Sequence, residues 1–346
     1  MGVAPAGRRT APFVKVLITG GSSLMGARIA DVLLHRGDEV VAFQRSRSAS
    51  LPIGIEQSLG DVRDAAAVRD AASGCDAVIH LAAKVGVVGA RSEYESINVD
   101  GTRHVVDAIR HHGIARFVHV SSPSVAHGGE PIVGGGADPA IPEHGTAWYP
   151  ATKAVGEGIA LDAASDACGV VAIRPHLVWG PGDTQLVGRI VERARAGRLA
   201  LVGGGRALVD TTYIDNAVSA LVAALDAVAP GAACSGRPYI IANVEPRPIR
   251  EILAGICTAA SVPFAPRDVP LPVAKGLGSV IERVWPLLGR DDEPPLTRFL
   301  AEQLGTAHWF DPRPARDALG WAPQVSIDEG FAALAQWFSS GSAEPA

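Results

Sequence analysis

The sequence predicts an α/β fold in which a doubly wound parallel sheet is followed by a smaller C-terminal lobe. Three observations point there. Short β-branched runs alternate with helix-like stretches through the first half, a glycine-rich turn follows the first run directly, and the texture changes after Gly180. Strands that alternate with helices imply βαβ units and therefore parallel pairing.

The elements follow in order. "FVKVLITG" reads as the first strand, a helix runs from about Met25 to His35, and "EVVAFQR" and "IEQSLGD" read as the next two strands. After a further helix come "CDAVIHLAA", "RFVHVSS" and "GVVAIRP", for about six or seven parallel strands in all. Beyond Gly180, "LALVGGGRALVDTTYI" is irregular and the region from about Pro263 to Leu304 is Pro-rich, so both belong to the lobe. "RPYIIAN" at 237–243 reads as a strand returning to the main sheet. The expected organisation is a loose tail at 1–12, a dinucleotide-binding domain at 13–180 joined by 237–243, and a substrate lobe at 181–236 and 244–340.

Composition narrows the function. With 346 residues, 47% of them hydrophobic, the chain can bury a large core without staples. Its 31 Lys and Arg against 36 Asp and Glu leave a net charge of -5, which gives no field to gather nucleic acid. Cys75, Cys168, Cys234 and Cys257 are far apart, with neither CxxC spacing nor a histidine cluster beside them. That argues against a zinc or other metal site and against a disulfide framework, and for a reduced, cytoplasmic protein. The first dozen residues lack the apolar core of a secretory signal, and no apolar run reaches the ~18 to 20 residues that cross a bilayer.

"VLITGGSSLMGARIADVLLHRG" puts a glycine-rich turn between an apolar strand and an amphipathic helix, where backbone amides and the helix N-terminus can hold a pyrophosphate. Gly20 permits the tight turn and Gly26 lets the helix approach the sheet, with Ser22, Leu24 and Met25 alongside as further cofactor contacts. Ser23 stands where this pattern expects its middle glycine, so its side chain either crowds the phosphates or donates to them. The second strand ends in Gln44, Arg45 and Arg47 with no acid, which favours the 2′-phosphate of NADP(H) over the free ribose hydroxyl of NAD. Asp61, with Val62 after it, ends the third strand where a carboxylate can accept from the adenine amino group, or it is an ordinary turn aspartate. Leu81, Ala82 and Ala83 end the fourth strand, mostly with small side chains that suit close passage of a cofactor.

In "TAWYPATKAVGEG", Tyr149 precedes Lys153 by four residues, so both lie on one helix face, ~6 Å apart at Cβ. A nearby ammonium and a positive nicotinamide are expected to lower the phenol's pKa, making Tyr149 a usable proton relay for reduction of a carbonyl. Lys153 would also hold the nicotinamide ribose. Ser122, just past the fifth strand in "VHVSSPSV", would position the carbonyl, with Ser121 as its neighbour. The plainer alternative is a Tyr-Lys pair sharing an exposed face.

Taken together, "TGGSSLMG", "GDVRD", "HLAAK", "NVDGT", "VSSPSV", "YPATK", "RPHLVWGPGD" and "TTYIDNAVSA" resemble the extended short-chain dehydrogenase/reductase family from Phe13 to Phe338. Within it the chain is similar to the 3β-hydroxysteroid dehydrogenase branch, and especially to bacterial reductases of 2-alkyl-3-oxoalkanoic acids in olefin biosynthesis. That resemblance implies a Rossmann sheet and NADPH-dependent reduction of a 3-keto group to the 3-hydroxy acid, carried by Ser122, Tyr149 and Lys153. It also implies that Pro175 to Val178 lie beside the nicotinamide, that Asn98 lies near the site, and that Lys84, Ser124 and His176 meet substrate. Other expectations keep the fold and change the role: NAD-dependent 3β-hydroxysteroid oxidation, sugar-nucleotide epimerisation with Arg189, Arg206 and Arg298 as diphosphate candidates, or a non-catalytic dinucleotide-binding regulator.

In the lobe, Val273, Leu277, Val280, Ile281, Val284, Trp285 and Leu288 recur at helical spacing. Such a stripe lines an apolar channel, packs on its own domain, or meets a membrane or partner. The expected ligand is an apolar small molecule. A homodimer, association with other biosynthetic enzymes and peripheral membrane contact remain open.

Overall fold

The computed structural model describes residues 14–86, 89–142, 147–285, 294 and 296–341. Seven strands form the central sheet: β1 (Lys15–Thr19), β2 (Glu39–Gln44), β3 (Glu56–Leu59), β4 (Ala77–His80), β5 (Arg116–Val120), β6 (Gly169–Pro175) and β7 (Arg237–Ile241). Their spatial order is β7-β6-β5-β4-β1-β2-β3, and every neighbouring pair is parallel. The order reverses between β1 and β4, and the crevice beyond the carboxyl ends of strands at such a point is where open α/β sheets bind ligands.

Because parallel strands need crossovers, both faces are covered by helices. Ile29 and Leu33 of α1 (Leu24–His35) pack with Leu221 and Leu225 of a helix at Ile214–Ala227 on one face. On the other, Val68 of α2 (Ala65–Ala71), Val105 and Ile109 of α3 (Gly101–His112) and Ala160 of α4 (Trp148–Leu161) cover Leu17, Phe43, Val78 and Phe117. The central strands are therefore largely apolar on both sides, with β6 buried throughout, whereas the edge strand β3 is polar. Within this layer Arg174 of β6 makes a two-pronged ion pair with Glu157 of α4, at 2.8 and 2.5 Å, with both side chains buried.

The lobe has its own core, in which Trp179, Ile190, Ile252, Ile256, Ile327 and Leu334 meet. A four-stranded sheet joins distant segments: Ile132–Gly135 pairs with His308–Phe310, which pairs with Leu208–Val209 and through it with Arg247–Pro248. The stripe predicted at 273–288 lies on a helix at Leu271–Val284, which buries only Ala274 and Gly278; Leu288 falls outside the described residues. Val273, Leu277, Val280 and Val284 are exposed and are not among the residues lining the cavity described below, which favours neither a channel wall nor packing on the lobe among the readings of this stripe. The cavity is lined instead by Phe299, Leu300 and Gln303 of the next helix, Arg298–Gly305. Among the described residues, no helix is long and apolar enough to cross a membrane.

Candidate functional site

Two connected hollows open at the carboxyl ends of β1, β2, β4, β5 and β6. The first is a groove of about 390 Å³ lined by the turn after β1 (Gly20, Ser22, Ser23), the end of β2 (Gln44, Arg45), Asp61, Val62 and Leu81 to Lys84. The second is a cavity of about 740 Å³ that shares Ser23, Leu81 and Ala83 with the groove and runs beneath the lobe.

Backbone geometry makes the groove. Gly20 has φ +71, and a Cβ there would stand 3.0 Å from the amide nitrogen of Ala82, so the turns after β1 and β4 meet with no room for a side chain. A Cβ on Gly26 would come within 2.6 Å of the Gly20 carbonyl oxygen, so only glycine lets α1 begin this close to the sheet. Ser23 caps α1: its Oγ accepts from the Gly26 amide at 3.0 Å. Accepting there leaves the hydroxyl proton of Ser23 free of this bond. Shape, exposed helix amides and hydroxyl donors all fit a pyrophosphate.

At the end of β2, Arg45 lines the groove and adds positive charge near Asp61, while Arg47, predicted to share the role, is exposed and is not part of the lining. Gln44 is turned inward, donating from Nε2 to Gln57 at 2.9 Å. Asp61 is held by Arg63 through bonds at 3.0 and 2.7 Å, and this contact keeps its carboxyl below the usual carboxylate range. Lys84, predicted as a substrate contact, lies on the groove, paired with Glu93 at 2.8 Å. Asn98 clasps the chain there: its side chain accepts from the Lys84 amide and donates to the Lys84 carbonyl and to Thr152 of α4.

The cavity brings Ser121, Ser122, Ser124, Tyr149 and Lys153 together with Leu24, Met25, Pro175, His176 and Val178. Ser122 follows β5 and caps a short turn at Pro123–Ala126; its Oγ lies 2.9 Å from Ser124 Oγ. Lys153 is buried on α4, and its Nζ donates to the Val120 carbonyl at 2.6 Å. Burial lowers its pKa to about 8, against a partial opposing pull from Glu157. Tyr149 is half-buried and faces the cavity. Contrary to the sequence expectation, its pKa in the protein alone is raised: burial of the phenol outweighs the opposing hydrogen bond with Ser122, and Lys153 is not among the causes.

His176 is buried on the wall, its Nδ1 2.6 Å from the carbonyl oxygen of Asp210. Sequence reading missed His127, His308, Phe299, Leu300 and Phe310, which complete the wall. The signal was weak: Phe299 and Leu300 sit on a short helix, His127 follows a short turn, and His308 and Phe310 lie on a strand whose pairing with Ile132–Gly135, more than a hundred positions away, no local pattern announces. Of the arginines proposed for a diphosphate, Arg189 reaches the lining, whereas Arg206 and Arg298 do not.

The sequence matches the NAD dependent epimerase/dehydratase family over residues 16–242. It is 48% identical over 325 residues, 93% of this chain and 98% of the other, to a 2-alkyl-3-oxoalkanoate reductase of Stenotrophomonas maltophilia. To 3beta-hydroxysteroid-dehydrogenase/decarboxylase isoform 2 of Arabidopsis thaliana it is 33% identical over 288 residues, 81% of this chain and 51% of the other. Among solved structures, the Bordetella bronchiseptica enzyme WbmH in complex with NAD+ superposes with a TM-score of 0.73 at 21% identity, covering 95% of this chain and 99% of that one.

Proposed function

Because the chain belongs to the NAD dependent epimerase/dehydratase family and is an NAD(P)-dependent oxidoreductase, we propose that it reduces the 3-keto group of a long-chain 2-alkyl-3-oxoalkanoic acid to the 3-hydroxy acid with NADPH, as a step of olefin biosynthesis. The observation that carries this reading is the cavity: Ser122, Tyr149 and Lys153 open into about 740 Å³ whose other walls are largely apolar, including Leu24, Met25, Leu177, Trp179, Phe299 and Phe310. Such walls suit two alkyl chains better than a sugar diphosphate, for which the lining offers only Lys153 and Arg189 as cations. The 48% identity to a reductase of this name supports the substrate class.

Gly20, Ser22, Ser23 and the first turn of α1 would hold the pyrophosphate, Asp61 and Val62 the adenine, and Arg45 the 2′-phosphate. When bound, the nicotinamide supplies the hydride. Everything else falls to the chain's own groups. Ser122 donates to the substrate ketone and fixes its orientation, while Tyr149, held by Ser122, delivers the proton to the same oxygen. Its raised pKa keeps the phenol protonated before reaction, the form an acid requires. Lys153, anchored on Val120 one helical turn from Tyr149, puts a cation in the lining of the same cavity.

NADPH oxidation with a 2-alkyl-3-oxo acid, set against oxidation of a 3β-hydroxysterol with NAD, tests the reading. Turnover of the acid is expected; turnover of the sterol alone removes it.

A further inference from the structure

We infer that His176 and His308, with His127 packed against them, form the subsite for the carboxyl group of the substrate, and that the acid binds there together with one proton. The inference rests on the 3-oxo acid reading and adds what recognises its acid end.

The three rings cluster on one wall: His127 and His308 lie 4.7 Å apart between centroids and His176 and His308 6.0 Å apart, all three buried and all lining the cavity. The neutral tautomers of His176 and His308 are fixed by their partners. A carbonyl only accepts, so His176 Nδ1, 2.6 Å from the Asp210 carbonyl oxygen, carries the proton and its Nε2 keeps a lone pair. Thr306 gives its single hydroxyl proton to the Glu302 carbonyl at 2.7 Å, so at 3.2 Å it must accept from His308 Nε2. That leaves His308 Nδ1 as a buried acceptor with no protein donor. Two lone pairs in one wall of a ligand cavity ask for a hydrogen from the ligand.

Position selects the group. His176 follows the last residue of β6, the hydrogen-bonded neighbour of β5, and Ser122 lies two residues past β5, so His176 and the ketone site stand at neighbouring strand ends of one cavity, with His308 meeting His176 from the four-stranded sheet. In a 3-oxo acid the carboxyl carbon is one carbon removed from the ketone carbon, so its acid end falls beside whatever holds the ketone.

The charges around the cluster then require the proton. Burial holds His176 near 4 and His308 near 3, so at neutral pH both are uncharged, and a bare carboxylate would meet two lone pairs. The other titratable groups nearby do not supply the missing charge. Asp210 presents its carbonyl to His176 and receives the Glu245 amide on its carboxyl, which burial raises to about 7. Glu302 behind Thr306 is already paired with Lys275 and Arg298. Lys153 on α4 is committed to Val120, and Tyr149 to Ser122. Arg189, the other cation of the lining, donates to Gln185, so acid and imidazole meet by sharing a proton taken from solvent.

The test uses the dead-end complex of the enzyme with NADPH and a 2-alkyl-3-hydroxy acid, with the methyl ester of that acid as the neutral probe. Calorimetry at pH 7.5 in buffers of different ionisation heat should read uptake of about one proton for the acid and none for the ester, and the acid's Kd should rise about tenfold per pH unit above neutrality. H308N places an amide where Nδ1 stood and should flatten that pH slope, and H176Q should do the same for Nε2; NADPH binding and Tm report that each variant is folded. Acid binding with no proton uptake, or H308N and H176Q shifting acid and ester equally, overturns the subsite. Failure to consume NADPH with any 2-alkyl-3-oxo acid while proton-linked binding persists sinks the assigned reaction instead.

Discussion

Lys153 reaches from α4 to the carbonyl of Val120, the last residue of β5, at 2.6 Å, so the cation of the Tyr-Lys pair is pinned to the strand that presents Ser122. This bond ties helix and strand at the reacting end of the sheet, and it keeps an ammonium where burial disfavours charge.

The cost of that ammonium depends on pH. A folded-state pKa of about 8, below the 10.5 of a free lysine, means that the charged form destabilises the fold below pH 8 and that the penalty fades between about 8 and 10.5. Lys153→Met should therefore be more stable than the parent at pH 7 by up to about 3 kcal/mol, less the lost hydrogen bond. The gap should close as pH rises through that window. Thermal unfolding of the two proteins without cofactor at pH 7 and pH 10 measures it, and a pH-independent gap would contradict the buried charge.

Tyr149→Phe keeps the ring and removes the acid. It should lower kcat by about 10²- to 10⁴-fold while NADPH still binds. Cofactor fluorescence and single-turnover reduction separate the two effects, and a variant that still reduces at the parent rate would acquit the phenol.

Arg45→Ala addresses cofactor choice. Loss of a charge-assisted contact to the 2′-phosphate is worth about 1.5–3 kcal/mol, so NADPH should bind roughly ten- to a hundredfold more weakly with NADH little changed. Arg47→Ala, at an exposed position off the groove, should alter neither. Equal losses for both cofactors would show that Arg45 does not read the phosphate.

Glu157→Gln tests the buried pair behind the site. With Arg174 wholly buried, removal of its partner charge should destabilise the fold by about 3–5 kcal/mol. Chemical denaturation gives the value, and a change below about 1 kcal/mol would mean the pair is solvated.

Much of this architecture can be read in local patterns. Gly20 and Gly26 announce the dinucleotide turn because a left-handed φ and a close helix approach each demand glycine. Tyr149, Lys153 and Ser122 were legible through helical spacing and a strand end. What local pattern could not supply is the direction of the Tyr149 shift, because desolvation is a property of the whole surround. Nor could it supply the inner wall: Ile132 and His308 are hydrogen-bonded strand partners with no sequence cue linking them. The exposed stripe at Val273, Leu277 and Val280 has the periodicity of a buried helix face and shows that periodicity alone does not say what an apolar face covers.

The short strand at His308–Phe310 hydrogen-bonds to Ile132–Gly135 but contributes nothing to the seven-stranded sheet. The part of the cavity wall that carries His308 and Phe310 is thus stitched from segments remote along the chain, while Tyr149 and Lys153 stand on a helix of the main sheet. Substitutions in that wall can change the shape of the cavity while leaving the bond that anchors Lys153 to β5 in place.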